Sequence, residues 1–161
     1  MTNDQILLIV VSSVSALGTT IAAVSAAISA YYSRKSIETT VKLYEHEQRE
    51  KLIQDLNMII EIGIQYPYLE SKPFTSKWIE NMHLNDERYL RYDMFCNLIF
   101  NYLGHVYNYF GKDKTKIEDF VDIKSWVRLH KYCWQNPVDE NENIDAYDED
   151  FRRFINSYIH T

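Results

Sequence analysis

The sequence predicts an all-α protein with one N-terminal transmembrane helix, a helical stalk and a cytosolic bundle of about four helices. Three observations carry this expectation. Ile6 to Tyr32 contains no Asp, Glu, Lys or Arg. Beyond it, apolar residues recur at threes and fours, the period of an amphipathic helix. No segment shows the alternation that marks a half-buried strand. The expected division is residues 1–32 for the transmembrane helix, 33–65 for the stalk entering the domain and 66–161 for the cytosolic helical domain.

The first stretch is long enough to span. At about 1.5 Å of rise per residue, ~20 apolar residues cross the ~30 Å hydrocarbon core of a bilayer. Asp4 is the one charged side chain before the stretch, whereas Arg34, Lys35 and Lys42 follow it. The positive-inside bias therefore predicts an N-terminus outside and a C-terminal domain in the cytoplasm. A cleaved signal peptide ending near Ala23-Val24-Ser25 is the competing reading, but the positive leading region is missing. Within the span, Gly18, Ala22, Ala26 and Ala30 repeat every four residues, and Ser15, Ala22 and Ser29 every seven. Small residues let helices approach closely, so this face is expected to pack helix on helix in a homo-oligomer. An Ala-rich anchor with no such contact remains the alternative.

Composition narrows the partners. The net charge is −6, and the carboxylates between Asp139 and Asp150 more than account for it. Residues 33–138 carry fifteen basic and fifteen acidic side chains, which leaves no broad basic face for duplex nucleic acid. Cys96 and Cys133 sit in apolar or aromatic company and are expected to be reduced core residues. No metal-ligand set is expected.

From Ser33 the helix is expected to continue, since neither Pro nor Gly appears before Gly63. Glu45 with Arg49 and Glu47 with Lys51 give the paired charges of a solvated stalk, and Leu52, Ile53, Leu56, Ile59, Ile60 and Ile64 then mark the approach to a core. Such a stalk would either transmit motion to the bilayer or serve as a spacer. Pro67 ends the helix, residues 65–75 read as a loop, and a short helix is expected around 76–82. Asn85 is the expected N-cap of a central core helix over 86–110. Its apolar positions run Tyr89, Leu90, Met94, Phe95, Leu98, Ile99, Tyr102, Leu103, Val106 and Phe110, with Gly111 as C-terminal cap. Tyr92 and Tyr109 fall beside that stripe, free for a surface role. One helix is expected over 117–135, a mobile acidic linker over 138–148, and a last amphipathic helix over 147–159.

Catalytic patterns are thin. His46-Glu47 opens HExxE and lacks the second histidine of a metalloprotease. His130 and Cys133 share a helix face without an orienting partner in the sequence pattern. Asn101 with His105 lacks an arginine, Arg128 and His130 are too close for a helical ribonuclease pair, and four glycines form no phosphate loop. The sequence therefore predicts a non-enzyme with no catalytic residues. A ligand site is the remaining candidate: Arg88, Arg91, Arg128 and Lys131 clamping phosphates while Tyr92, Trp126 or His130 stacks on a base. Read alone, such residues solvate helix faces.

The layout, the small-residue span, the basic exit at Arg34-Lys35 and aromatic helices such as NLIFNYLGHVYNYF resemble the small transmembrane effectors of type III CRISPR systems. That resemblance covers the whole chain and implies a single-pass protein of the bacterial inner membrane, acting in antiviral defence. It implies cyclic tetra-adenylate as activating ligand, a homotetramer sharing one cyclic oligonucleotide, and spans that perturb the lipid bilayer. Two other classes stay open: a single-span adaptor that docks a protein partner through its cytosolic helical domain, at residues 138–159, and a small pore-forming protein without ligand control.

Overall fold

The computed structural model describes residues 3–139 and 142–159, with the side chains of residues 5–7 and 9–23 outside the description. Among the described residues every regular element is helical and none is a strand. Helix α1 runs Asn3–Gln65, α2 Lys72–Thr75, α3 Trp78–Asn81, α4 Glu87–Tyr109, α5 Lys114–Phe120, α6 Ile123–Gln135 and α7 Glu149–Ile159. Single 3₁₀ turns lie at Pro67–Glu70 and Asn143–Ala146. The chain divides into two compact units, residues 1–47 and residues 48–161.

In the first unit, no helix among the described residues is long and apolar enough to cross a membrane. Most of the stretch expected to span, including Ser15, Gly18 and Ala22 of the packing face, lies outside the described side chains. Ala26, Ser29 and Ala30 are described and are exposed in the single chain. Further along, the Thr39 and Thr40 hydroxyls donate to the carbonyls of Lys35 and Ser36, each at 2.9 Å. These helix-internal bonds satisfy both hydroxyls without an outside partner.

The second unit holds the core. Leu52 and Ile59 of α1 are buried in it, within the stretch whose apolar residues mark the approach to a core. Pro67 does not extend α1 but opens the 3₁₀ turn, as its fixed φ and missing N–H favour. The short helix expected around 76–82 is present as α3, whereas the stretch expected to be loop, 65–75, holds the 3₁₀ turn and the further short helix α2.

Asp86, rather than Asn85, caps α4: its backbone is extended and its carboxylate accepts the Arg88 N–H at 2.9 Å. At the other end the Lys112 N–H donates to the Tyr107 carbonyl at 2.9 Å and the Gly111 N–H to that of Asn108 at 3.1 Å. This is a Schellman closure, and Gly111 takes the left-handed φ of +59° it requires. Within α4 the buried stripe passes through Tyr92 and Cys96, leaving Leu90 54 % and Met94 70 % exposed. Both were expected in the core, but each sits about 100° of helix rotation from its buried neighbour. Tyr92, expected at the surface, is fully buried.

The helix expected over 117–135 breaks into α5 and α6. Val121 is extended, and the Asp122 carboxylate accepts the Ser125 N–H at 3.2 Å, capping a new helix. Asp113 caps α5 in the same way through the N–H groups of Thr115 and Lys116. Although α4 supplies more buried side chains than any other element, α6 is the hub. It touches α2, α3, α4, α5, α7 and the Asn143–Ala146 turn.

The described part of the acidic segment is packed rather than loose. Asn143 is buried, with its amide directed at the Cys133 sulfur (3.7 Å), and the Tyr147 hydroxyl donates to Asn101 Oδ1 at 2.8 Å. Helix α7 then buries Phe151, Ile155 and Tyr158. Trp134 of α6 closes the centre, 4.6 Å from the Phe100 ring and donating to Asn156 Oδ1 at 2.9 Å.

Candidate functional site

Helix α6 presents two chemically distinct sides. Ser125, Arg128, Leu129 and Tyr132 fall at spacings of three and four and so share one face. With Lys131 they line a cavity of about 770 Å³, completed by Lys72, Thr75 and Ser76 from α2 and its end, and by Ile159 of α7. Three cations converge there and no carboxylate joins them. Among the described residues, Lys72, Arg128 and Lys131 have no ion-pair partner. Arg128 Nε donates at 3.4 Å to the Tyr158 carbonyl, and Lys131 Nζ lies 4.9 Å from the Tyr132 ring centroid. Thr75 is held down by its hydroxyl bond to the Lys72 carbonyl at 3.4 Å.

The other predicted ligand residues go elsewhere. Arg88 is spent on Asp86 at 2.7 Å, which holds the Asp86 carboxyl below its ordinary range. Arg91 bonds Glu87 and the Tyr68 hydroxyl, and lies 4.2 Å over the Tyr66 ring. Trp126 is half-buried, stands edge-on to Tyr102 and lines a second cavity of about 490 Å³ with Ile60, Gly63, Ile64, Pro67 and Glu70. Tyr92 and His130 are fully buried and present no ring to a ligand. Arg128 and Lys131 are therefore brought together, whereas Arg88, Arg91, Tyr92, Trp126 and His130 do not join them.

Sequence reasoning missed Lys72, Ser125 and Tyr132. Ser125 and Tyr132 were within reach, since they extend the Arg128 face at helical spacing. Lys72 arrives from a turn whose position only tertiary packing sets.

The inward side of α6 carries a buried polar cluster. His130 Nδ1 lies 3.2 Å from the Tyr92 hydroxyl and 3.9 Å from Cys96 Sγ, while Nε2 faces Glu70 Oε2 at 3.8 Å without a hydrogen-bond partner. The Cys133 thiol points to Asp93 Oδ1 at 3.8 Å. Burial pushes the His130 imidazole down, but the Cys96 sulfur and the Glu70 carboxylate beside it outweigh that and raise it to about 9. Burial pushes the Cys96 thiol up, yet contacts with Cys133 and His130 bring it down to about 6. Burial raises Asp93 to about 6, helped by the charge of Glu142, and raises Cys133 and Tyr92 strongly. Among the described residues no group of His, Cys, Asp and Glu is arranged to hold a metal ion.

Chemically, the open cavity suits a phosphate-bearing anion and the inward cluster suits proton or thiol chemistry. No family model, curated protein or solved structure matches this chain.

Proposed function

We propose that the chain is a membrane-anchored sensor whose helical domain binds the phosphates of a small nucleotide ligand in the cavity beside α6. The observation that carries this is the convergence of Lys72, Arg128 and Lys131 on one cavity without a carboxylate. Elsewhere in the domain many cations are neutralised: Lys112 and Arg153 by Asp150, Lys124 by Glu118, Arg88 by Asp86. An unanswered cationic cluster beside hydroxyls from Thr75, Ser76 and Ser125 is arranged to be answered by a ligand. The volume falls in the usual range for small-molecule sites, roughly 300–1,000 Å³.

In its finer form the ligand is cyclic tetra-adenylate. One phosphate and one nucleoside would occupy each cavity of a homotetramer, since a ring of repeated units suits identical sites related by symmetry. The charge-free stretch Ile6 to Tyr32 is the anchor in the bacterial inner membrane, with the N-terminus outside and the domain in the cytoplasm. Repacking of small-residue faces in the oligomer perturbs the bilayer as the defence output. Catalysis plays no part in this role.

Thermal unfolding of the full-length chain in detergent, with a panel of linear and cyclic oligoadenylates, tests it. A ligand at ~100 times its dissociation constant adds ~2.7 kcal/mol, which is a shift of several degrees. A shift specific to one cyclic species supports nucleotide sensing. No shift with any member, in a protein that unfolds cooperatively, overturns it.

A further inference from the structure

Aromatic rings crowd the second unit, and they pack against one another. Among the described residues of 48–161, every Phe, Tyr and Trp but one has another ring with its centroid 4.5 to 6.5 Å away. The exception is Tyr132. It is half-buried, lines the cationic cavity beside α6, and carries the Lys131 ammonium 4.9 Å from its ring centroid. The side chain is nonetheless held in place, because it packs against the core. Its backbone is fixed too: the Tyr132 carbonyl accepts the Asn136 side-chain amide at 2.9 Å and the Asn136 N–H at 3.1 Å.

The position of this ring matches a nucleotide. Tyr132 follows Arg128 by four residues, so the two share a face about 6 Å apart along the helix axis. A ribose bridges such a separation, with the phosphate at one end and the base at the other. Leu129 and Ile159 give the same cavity an apolar wall, which suits a base and not a bare anion.

We propose that Tyr132 is the base-stacking residue of this cavity, and that the ligand class it selects is a phosphate carrying an aromatic base rather than a bare phosphate or a sugar phosphate. This rests on the phosphate-binding reading above. The base takes the ring face that Lys131 occupies, and the freed ammonium moves to the phosphate beside Arg128 and Lys72. Relative strengths favour the exchange. A cation over an exposed ring is worth only about 2- to 5-fold in equilibrium terms. A base stacked on an aromatic side chain is worth roughly 5- to 150-fold. Lys131 therefore leaves the ring for a charge-assisted bond that replaces the weaker contact.

The test titrates the full-length chain in detergent with inorganic phosphate, ribose 5-phosphate and AMP. AMP is expected to bind roughly 5- to 150-fold tighter than ribose 5-phosphate, the increment of one stacked base. Tyr132→Leu keeps an apolar side chain without a π face and should bring that ratio to within about twofold, whereas Tyr132→Phe should keep it. Each ratio is taken within one variant, so a general weakening of the domain does not imitate the effect. In protein labelled at tyrosine, the base protons of bound AMP should show NOEs to a ring whose signals are missing from Tyr132→Phe. This decides the matter should Tyr132→Leu fail to fold. Equal binding of AMP and ribose 5-phosphate, a preference that survives in Tyr132→Leu, or NOEs only to tyrosines still present in Tyr132→Phe overturns the stacking role and leaves the phosphate site standing. Binding of none of the three ligands overturns both.

Discussion

The two sides of α6 handle charge in opposite ways. Inward, His130 and Cys133 sit in a closed set with Tyr92, Asp93, Cys96 and Asn143, where His130 Nδ1 and both thiols meet polar neighbours while His130 Nε2 and the Asn143 amide oxygen lack a hydrogen-bond partner. Outward, Arg128 and Lys131 face a cavity with Lys72 and meet no carboxylate. A buried polar set that is matched specifies one packing, because any unmatched member costs its desolvation. An exposed cationic set that is unmatched costs little while water covers it, and so can be kept for binding. The same helix thus fixes the fold with one side and holds charge in reserve on the other.

Breaking the inward side has the largest expected effect. Trp134→Ala removes a fully buried indole stacked near Phe100 and strands the Asn156 amide oxygen. Denaturant unfolding is expected to show a loss of about 3–5 kcal/mol. A loss below ~1 kcal/mol would mean that α6 is not the centre of the core.

Breaking the outward side should spare the fold and abolish binding. The double variant R128A/K131A removes two cations of the proposed site, each worth ~1.5–3 kcal/mol if it grips a phosphate, so under that proposal affinity for cyclic tetra-adenylate is expected to fall by roughly 100-fold or more. Its unfolding free energy should move by no more than about 0.5 kcal/mol. Titration calorimetry beside thermal unfolding separates the two quantities, and unchanged affinity would remove these side chains from the site.

The inward pair sharpens the contrast through pH. His130 has a folded pKa raised to about 9 from 6.5, so its contribution is present below 6.5 and is lost as pH rises through 9. Cys96 has a folded pKa lowered to about 6 from 9.0, so its contribution is present above 9.0 and is lost as pH falls through 6. Between 6.5 and 9 the two slopes oppose and cancel. Stability is expected to be flat there while ultraviolet absorbance records a thiolate. A stability slope near ~1.4 kcal/mol per pH unit in that window, or no thiolate signal, would break the pairing.

Asp93 gives the smallest effect. Its folded pKa is raised from 3.8 to about 6, so it stabilises below 3.8 and that stabilisation is lost as pH rises through 6. Asp93→Asn keeps an acceptor for Cys133 and removes the charge. It should gain about 1 kcal/mol at neutral pH, since half-exposure screens the rest, and flatten the slope between 3.8 and 6. A destabilised variant at neutral pH would show that the Asp93 carboxylate stabilises the fold in its charged form.

Helical character was legible because Ile123, Val127 and Trp134, and then Phe151, Ile155 and Tyr158, repeat at the helix period, and all are buried. Boundaries were less so. The break before α6 is a single carboxylate, Asp122, bonding to the Ser125 N–H in the middle of an otherwise unbroken pattern. Leu90 and Met94 are apolar yet exposed, because periodicity records spacing and not which stripe a neighbour covers. In the candidate site, Arg128 and Lys131 could be read as one helix side. Their union with Lys72 depends on α2 packing against α6, a contact between segments far apart in the chain that no local pattern encodes. Tyr92 and His130 looked suited to stacking on a base because a ring's chemistry is visible in sequence and its burial is not.

The position of α6 as the element touching α2, α3, α4, α5 and α7 has a consequence for how binding would be felt. A ligand gripping Arg128 holds the helix against which these five pack. Amide hydrogen exchange should therefore slow in α4 and α5, which contribute nothing to the cavity wall, as well as in α6 itself. Occupancy would be read out as a stiffening of the whole domain rather than as a local clasp.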